Sequence, residues 1–227
     1  VKMTKDQVRA CIEQIGIIPA VRVSTAADAE FAAESIYAGG IPIVEITMTM
    51  PNALDVITHL VRHVPDMIVG AGSILDTRTA HACLKAGAGF LTSTGLDMDV
   101  LAVAVNENVV CFPGALTPTE VVTAWKAGAD YVKIFPCSQV GGDSYIKALK
   151  APLPQVPMIA AGGVNQLTAG NFILAGASAI GVGAELVPRD ALQKRRKEQI
   201  IELVGRFVRI VRNARNQTAH ESVPTFR

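Results

Sequence analysis

Eight short apolar runs punctuate the 227 residues at nearly even intervals, and this rhythm restricts the fold more than any other feature. They are IIPAVRV from Ile17, IVEITM from Ile43, MIVGAG from Met67, FLTSTG from Phe90, VVCFPGA from Val109, YVKIFP from Tyr131, MIAAGG from Met158 and AIGVG from Ala179. Their starts lie 26, 24, 23, 19, 22, 27 and 21 residues apart. Each run is too short for a typical helix and rich in Val, Ile or aromatic residues, as strands buried on both faces are. Every interval leaves room for one helix, so the chain reads as repeated βαβ units around a parallel sheet.

The intervening segments carry helix signals. Ala27 to Ala38 follows Ser24 and Thr25, both N-cap residue types, and stops at Gly39. Gly39, Gly87, Gly128 and Gly176 close every second helix at spacings of 48, 41 and 48, each about two βα units, and a left-handed conformation is expected at each. A helix over Asp6 to Ile15 precedes the first strand, and a long one is predicted from about Ala191 to Arg212, with Ile200, Val204, Phe207 and Val211 as its apolar stripe. The charge run Lys194 to Lys197 reads as a solvated face. These elements predict an α/β (β/α)8 TIM barrel, with an N-terminal helix and a long C-terminal helix, as a single domain over residues 1–215. The open doubly wound sheet is the competing architecture, but no GxGxxG follows the first strand. Residues 216–227 form a polar tail without periodicity, expected to be disordered or to lie on a neighbouring subunit.

Half of the residues are hydrophobic and 18% are charged, ample for a core and incompatible with a wholly disordered chain. The balance of 21 basic and 20 acidic residues offers no basic field for nucleic acid. No apolar run approaches the ~20 residues a bilayer requires, and the N-terminal stretch lacks the h-region of a signal peptide. Cys11, Cys83, Cys111 and Cys137 are far apart with no CxxC, which points to reduced thiols in a cytoplasmic protein and to no metal site.

Two charges break the pattern. Side chains alternate between the faces of a strand, so in YVKIFP the residues Tyr131, Lys133 and Phe135 share the inward face, and in IVEITM Ile43, Glu45 and Thr47 do. A lysine and a glutamate are thereby placed inside the barrel near the C-terminal ends of its sixth and second strands. Burying either costs free energy unless it is paired. They read as a structural ion pair or as catalytic groups, and their position at the end where barrels build active sites favours catalysis. An amine in an apolar pocket is partly uncharged and attacks carbonyls to form a Schiff base. A carboxylate in reach serves the proton transfers.

The pairs Gly162-Gly163 and Gly181-Val182-Gly183, ending the seventh and eighth strands, read as a phosphate cradle of backbone N–H groups or as plain turns. Arg22, in phase with Ala20, is an inward cation for a carboxylate or phosphate, or a surface arginine at a strand end. Ser73 is a ligand-binding hydroxyl or the cap of the next helix. His59 and His63 lack the HExxH glutamate and read as helix surface, and Cys137 has no histidine partner.

The motifs IPIVEITM (41–48), VGAGSIL (69–75), PGALTPTE (113–120), YVKIFPCS (131–138), AAGGV (160–164) and GVGAELVP (181–188) together resemble the class I pyruvate aldolases acting on 2-dehydro-3-deoxy-6-phosphogluconate (KDPG) and 4-hydroxy-2-oxoglutarate (KHG). The resemblance spans roughly Val8 to Arg212 and implies a cytoplasmic homotrimeric barrel of Entner–Doudoroff carbohydrate metabolism, without metal or organic cofactor. It implies Lys133 as the Schiff-base lysine, Glu45 as general acid/base, Ser73 at the pyruvate carboxylate, Phe135 as a pocket wall, and Gly162, Gly163 and Gly183 at a phosphate. The implied substrate is a 2-oxo-3-deoxy sugar acid, cleaved to pyruvate and an aldehyde. Thr49 stands where well-known members carry arginine, Thr94 replaces proline, and Ala184 replaces a serine. Thr47 is a substrate-facing position, and Thr49, Thr94 and Ala184 are substrate-facing positions with altered chemistry. Arg22 in place of the missing arginine resembles the branch acting on 2-dehydro-3-deoxy-6-phosphogalactonate (KDPGal). A non-catalytic sugar-phosphate-binding barrel is the rival from another functional class.

Overall fold

Caps and glycines decide where each element begins and ends. The computed structural model describes residues 3–221. Helix α1 (Lys5–Ile15) opens on a capping box between Thr4 and Gln7 and closes on Gly16, which is left-handed at φ 67°. Strand β1 (Ile17–Val21) leads to α2 (Ala26–Ala38), capped by Thr25, whose hydroxyl accepts from the Asp28 N–H. Gly39 is right-handed, and the left-handed turn falls one residue later on Gly40 (φ 98°), because Gly39 N–H still bonds back to the last helical turn. Gly87, Gly128 and Gly176 are left-handed as expected.

The series continues through β2 (Ile43–Thr47), α3 (Ala53–His63), β3 (Ile68–Gly72), α4 (Thr77–Ala86), β4 (Phe90–Thr92) and α5 (Met98–Asn106). The fifth run then divides into β5 (Val110–Phe112) and β6 (Gly114–Ala115). After α6 (Pro118–Lys126), β7 (Val132–Ile134), α7 (Asp143–Lys150), β8 (Met158–Ala161), α8 (Ala169–Leu174) and β9 (Ala179–Val182) complete the ring, and α9 (Arg189–Gln193) and α10 (Lys197–Glu221) close the chain. The paired strands are parallel, in the order β5-β4-β3-β2-β1-β9-β8-β7-β6. The two ends of that order are one chain segment interrupted at Pro113. Proline has no N–H for a ladder, but its carbonyl accepts from the Lys133 N–H at 2.9 Å. β5 pairs with β4 and β6 with β7, so the segment is the eighth-fold barrel's closing stave.

Interior packing explains a pair of glycines. Glu45 and Thr47 lie opposite Gly70 and Gly72 in the β2–β3 register. A side chain on Gly70 would overlap the Phe90 ring, and one on Gly72 would overlap the Glu45 carboxylate. Phe90 stacks on Phe112 with centroids 5.1 Å apart, and Phe112 meets Tyr131 edge-on at 6.4 Å. Beneath these rings lies α1: Val8 and Ile12 are fully buried, Lys5 pairs with Asp130 at 3.0 Å, and the Tyr131 hydroxyl approaches Glu13 Oε1 at 3.3 Å. Arg215 ties α10 to the same floor by donating to the carbonyls of Glu13, Gln14 and Ser178.

The predicted final helix is two helices. The chain breaks between Gln193 and Lys197, with Arg195 at φ 49°. Arg195 is not simply solvated: it pairs with Asp28 at 2.9 Å and lies 4.9 Å over the Phe31 ring, docking the break onto α2. Of the expected tail, 216–221 continue α10, and 222–227 lie outside the described residues. No helix among the described residues is long and apolar enough to cross a membrane.

Helix α6 carries a second capping box, in which the Glu120 carboxylate accepts from the Thr117 and Leu116 N–H groups. Those bonds, with the Thr117 hydroxyl, hold its carboxyl below the ordinary carboxylate range. A carboxyl lowered on folding stabilises above its unfolded value and loses that contribution as pH falls through the folded one. Thr117→Ala is expected to cost about 1 kcal/mol at neutral pH. The stability gap between the parent and Glu120→Gln, read by thermal unfolding, is expected to narrow on acidification below about pH 4.

Candidate active site

The C-terminal ends of the strands open into a cavity of about 940 Å³. Strand β1 and the residues after it contribute Ala20 and Arg22, β2 contributes Glu45 and Thr47, and Thr94 follows β4. Lys133 and Phe135 come from β7 and the residue beyond it. Gly162 and Gly163 follow β8, and Gly183 and Ala184 follow β9.

Alternation along β2 and β7 turns Glu45 and Lys133 inward while their neighbours Val44, Ile46, Val132 and Ile134 are fully buried. Lys133 is 8% exposed and Glu45 4%. Lys133 Nζ stands 3.8 Å from Glu45 Oε2, an ion pair wider than a hydrogen bond, and 5.6 Å from the centroid of the Phe135 ring. Mutual attraction offsets part of the cost of taking both charges out of water. The absent side chain of Gly72 gives the carboxylate its space.

Hydroxyls support this centre. The Thr47 hydroxyl donates to the Val21 carbonyl at 3.1 Å, which leaves its lone pairs as acceptors, and Thr49 donates to it at 3.3 Å. Thr49 is exposed and is not among the residues that line the cavity. Ser73 does not line it either. It is 9% exposed at φ 59°, and helix α4 is capped by Asp76, so the helix-cap role does not hold. The glycine loops adopt the positive φ that only glycine takes freely, 86° at Gly162 and 81° at Gly163, and a side chain on Gly163 would overlap that of Ser138. No helix N-terminus directly follows either loop, since α8 starts at Ala169 and α9 at Arg189.

Three further charged residues line the cavity that sequence reasoning did not find: Asp28, Glu185 and Arg189. Asp28 lies in the first turn of α2, Glu185 on the loop after β9 and Arg189 at the start of the short helix α9. The remaining candidates stay outside the cavity. His59 and His63 stack at 4.1 Å on the surface of α3, His59 being 4.0 Å from Glu30. Cys137 is buried, and burial pushes its thiol up to about 11. Among the described residues no group of three or more His, Cys, Asp or Glu is arranged to hold a metal ion.

A closed parallel barrel with an amine and a carboxylate converging at its C-terminal mouth defines an enzyme of the (β/α)8 class. The chain belongs to the KDPG and KHG aldolase family, a family of lyases, which residues 8–203 match. The KHG/KDPG aldolase of Escherichia coli K12 is 30% identical over 193 residues, covering 85% of this chain and 90% of the relative. Among solved structures, a KDPG aldolase from Legionella pneumophila with pyruvate captured as a covalent carbinolamine superposes with a TM-score of 0.80 at 28% identity, covering 86% of this chain and 95% of that one. A native KDPGal structure superposes with a TM-score of 0.81 at 29% identity, covering 88% and 96%.

Proposed function

We propose that the chain is a class I, Schiff-base aldolase that cleaves a 2-oxo-3-deoxy sugar acid, KDPG and/or KHG, to pyruvate and an aldehyde. The observation that carries this reading is the buried Lys133–Glu45 pair, 3.8 Å apart at the mouth of the barrel. The uncharged Lys133 amine adds to the C2 ketone, and the carbinolamine hydroxyl, given a proton by Glu45, leaves as water, so that a protonated imine and the Glu45 carboxylate result. Glu45, through a water, takes the proton of the C4 hydroxyl. The C3–C4 bond breaks, its electron pair passes into the imine to give an enamine, and the aldehyde departs. The proton held by Glu45 passes to C3 of the enamine, and water then hydrolyses the protonated imine to pyruvate and the free amine, the remaining proton going to Glu45.

Arg22 supplies the cation for the keto acid's carboxylate, with Thr47 and Thr94 offering hydroxyls, Thr49 donating to Thr47, and Phe135 walling the pocket. The loops of Gly162, Gly163, Gly183 and Ala184 receive the far end of the substrate. The arginine at position 22, together with the likeness to the KDPGal structure, supports KDPGal as a second substrate. We place the enzyme in the cytoplasm, where four unpaired cysteines persist, and as a homotrimer, for which the exposed Leu75 and Leu167 offer apolar surface. Borohydride added with pyruvate is expected to leave a three-carbon adduct on Lys133, found by peptide mass spectrometry. An adduct on another residue, or none, would overturn the assignment. Pyruvate release from KDPG, KDPGal and KHG, measured side by side, ranks the substrates.

A further inference from the structure

Besides Lys133 and Glu45, four charged side chains line this cavity: Arg22, Asp28, Glu185 and Arg189. Asp28 is already paired with Arg195. Among the described residues, neither Arg22, Glu185 nor Arg189 has an ion-pair partner within 4.0 Å. Two unpaired guanidinium groups thus face one unpaired carboxylate.

Both arginines are exposed, and they reach the cavity from different elements. Arg22 follows β1, two residues beyond Ala20 on the same inward phase, close to where the strands end. Arg189 is the first residue of α9, six positions past Gly183, exposed on the outer rim of the same cavity. A keto acid anchored through C2 on the buried Lys133 projects its far carbons outward, toward that rim. The glycine loops there offer backbone N–H groups but no full positive charge: Ala184 carries a methyl group, and no helix starts at either loop.

Resting on the aldolase reading above, we propose that Arg189 is a specificity-determining residue that binds the anionic far end of the substrate, so that charge recognition there lies with the start of α9 and not with the glycine loops. Its planar guanidinium is suited to two-point bonding of a phosphate or carboxylate. Glu185, on the same loop, opposes that attraction and tempers it for a doubly charged group.

The test compares KDPG with its dephosphorylated counterpart, 2-dehydro-3-deoxygluconate, on the parent, Arg189→Ala, Arg189→Lys and Glu185→Gln. Arg189→Ala is expected to lower kcat/KM for KDPG on the order of 10- to 100-fold, mainly through KM, the scale of one charge-assisted contact. The uncharged-tail substrate is expected to change less than about twofold. Arg189→Lys should regain part of the loss, and Glu185→Gln should raise kcat/KM for KDPG alone. Borohydride trapping of pyruvate, which has no tail, should proceed normally in all four proteins. Equal losses on both substrates, or no loss on KDPG, would overturn the role of Arg189 while trapping remained intact. Failed trapping in the parent would instead overturn the aldolase reading.

Discussion

Lys133→Met is expected to reduce turnover by at least about four orders of magnitude, the scale seen when a covalent nucleophile is removed. Methionine matches the length of the lysine stem, so cavity formation contributes little. The change in charge matters more. Glu45 is 4% exposed and would remain buried without its cation. Breaking a buried pair from one side costs about 3–5 kcal/mol, against a total stability of roughly 5–15 kcal/mol for a domain. The variant is therefore expected to fold with a lowered unfolding midpoint. Lys133→Met combined with Glu45→Gln should recover most of that stability while staying inactive, because the uncompensated charge is gone. Urea unfolding of the two proteins, read with a pyruvate-release assay, checks both parts. Normal turnover in purified Lys133→Met would remove the amine from the mechanism.

The second large effect concerns Glu45, reached by two routes. Glu45→Gln keeps the shape of the side chain and removes its ability to exchange protons, so turnover should fall about 10²- to 10⁴-fold, the contribution of a positioned acid/base. Gly72→Ala leaves Glu45 in the sequence but puts a methyl group where its carboxylate now sits. The carboxylate must move away, and turnover is expected to approach that of Glu45→Gln, with an overpacking cost of about 1–3 kcal/mol. Since both changes act on one group, their effects should not add: the double variant should be no slower than Glu45→Gln by more than a small factor. Full additivity in that cycle would show that Gly72 acts on catalysis by some path other than the carboxylate.

The strand rhythm and the two inward charges could be read before any coordinates, because both rest on local periodicity: a period of two places Glu45 and Lys133 on the same side as Thr47 and Phe135 whatever the rest of the chain does. What escaped was set by tertiary contacts or by loops. The run VVCFPGA reads as one strand, and only the missing N–H of Pro113 hints that it splits to pair with β4 on one side and β7 on the other. The break between α9 and α10 has no glycine or proline to mark it. Lys194 to Lys197 are good helix formers, and the left-handed Arg195 is held there by Asp28 and Phe31, which are distant in sequence. Asp28, Glu185 and Arg189 reach the cavity from positions whose direction depends on how those pieces dock.

With α1 lying across the opposite end, its Val8 and Ile12 fully buried, the barrel is a cup with one opening. In the proposed reaction both products must leave the way the substrate came, and the pyruvate half is tethered to the bottom while the aldehyde lies nearer the lip. The aldehyde therefore departs first and the keto acid last, an order set by the covalent bond to Lys133 and matched by the single way out, not by relative affinity.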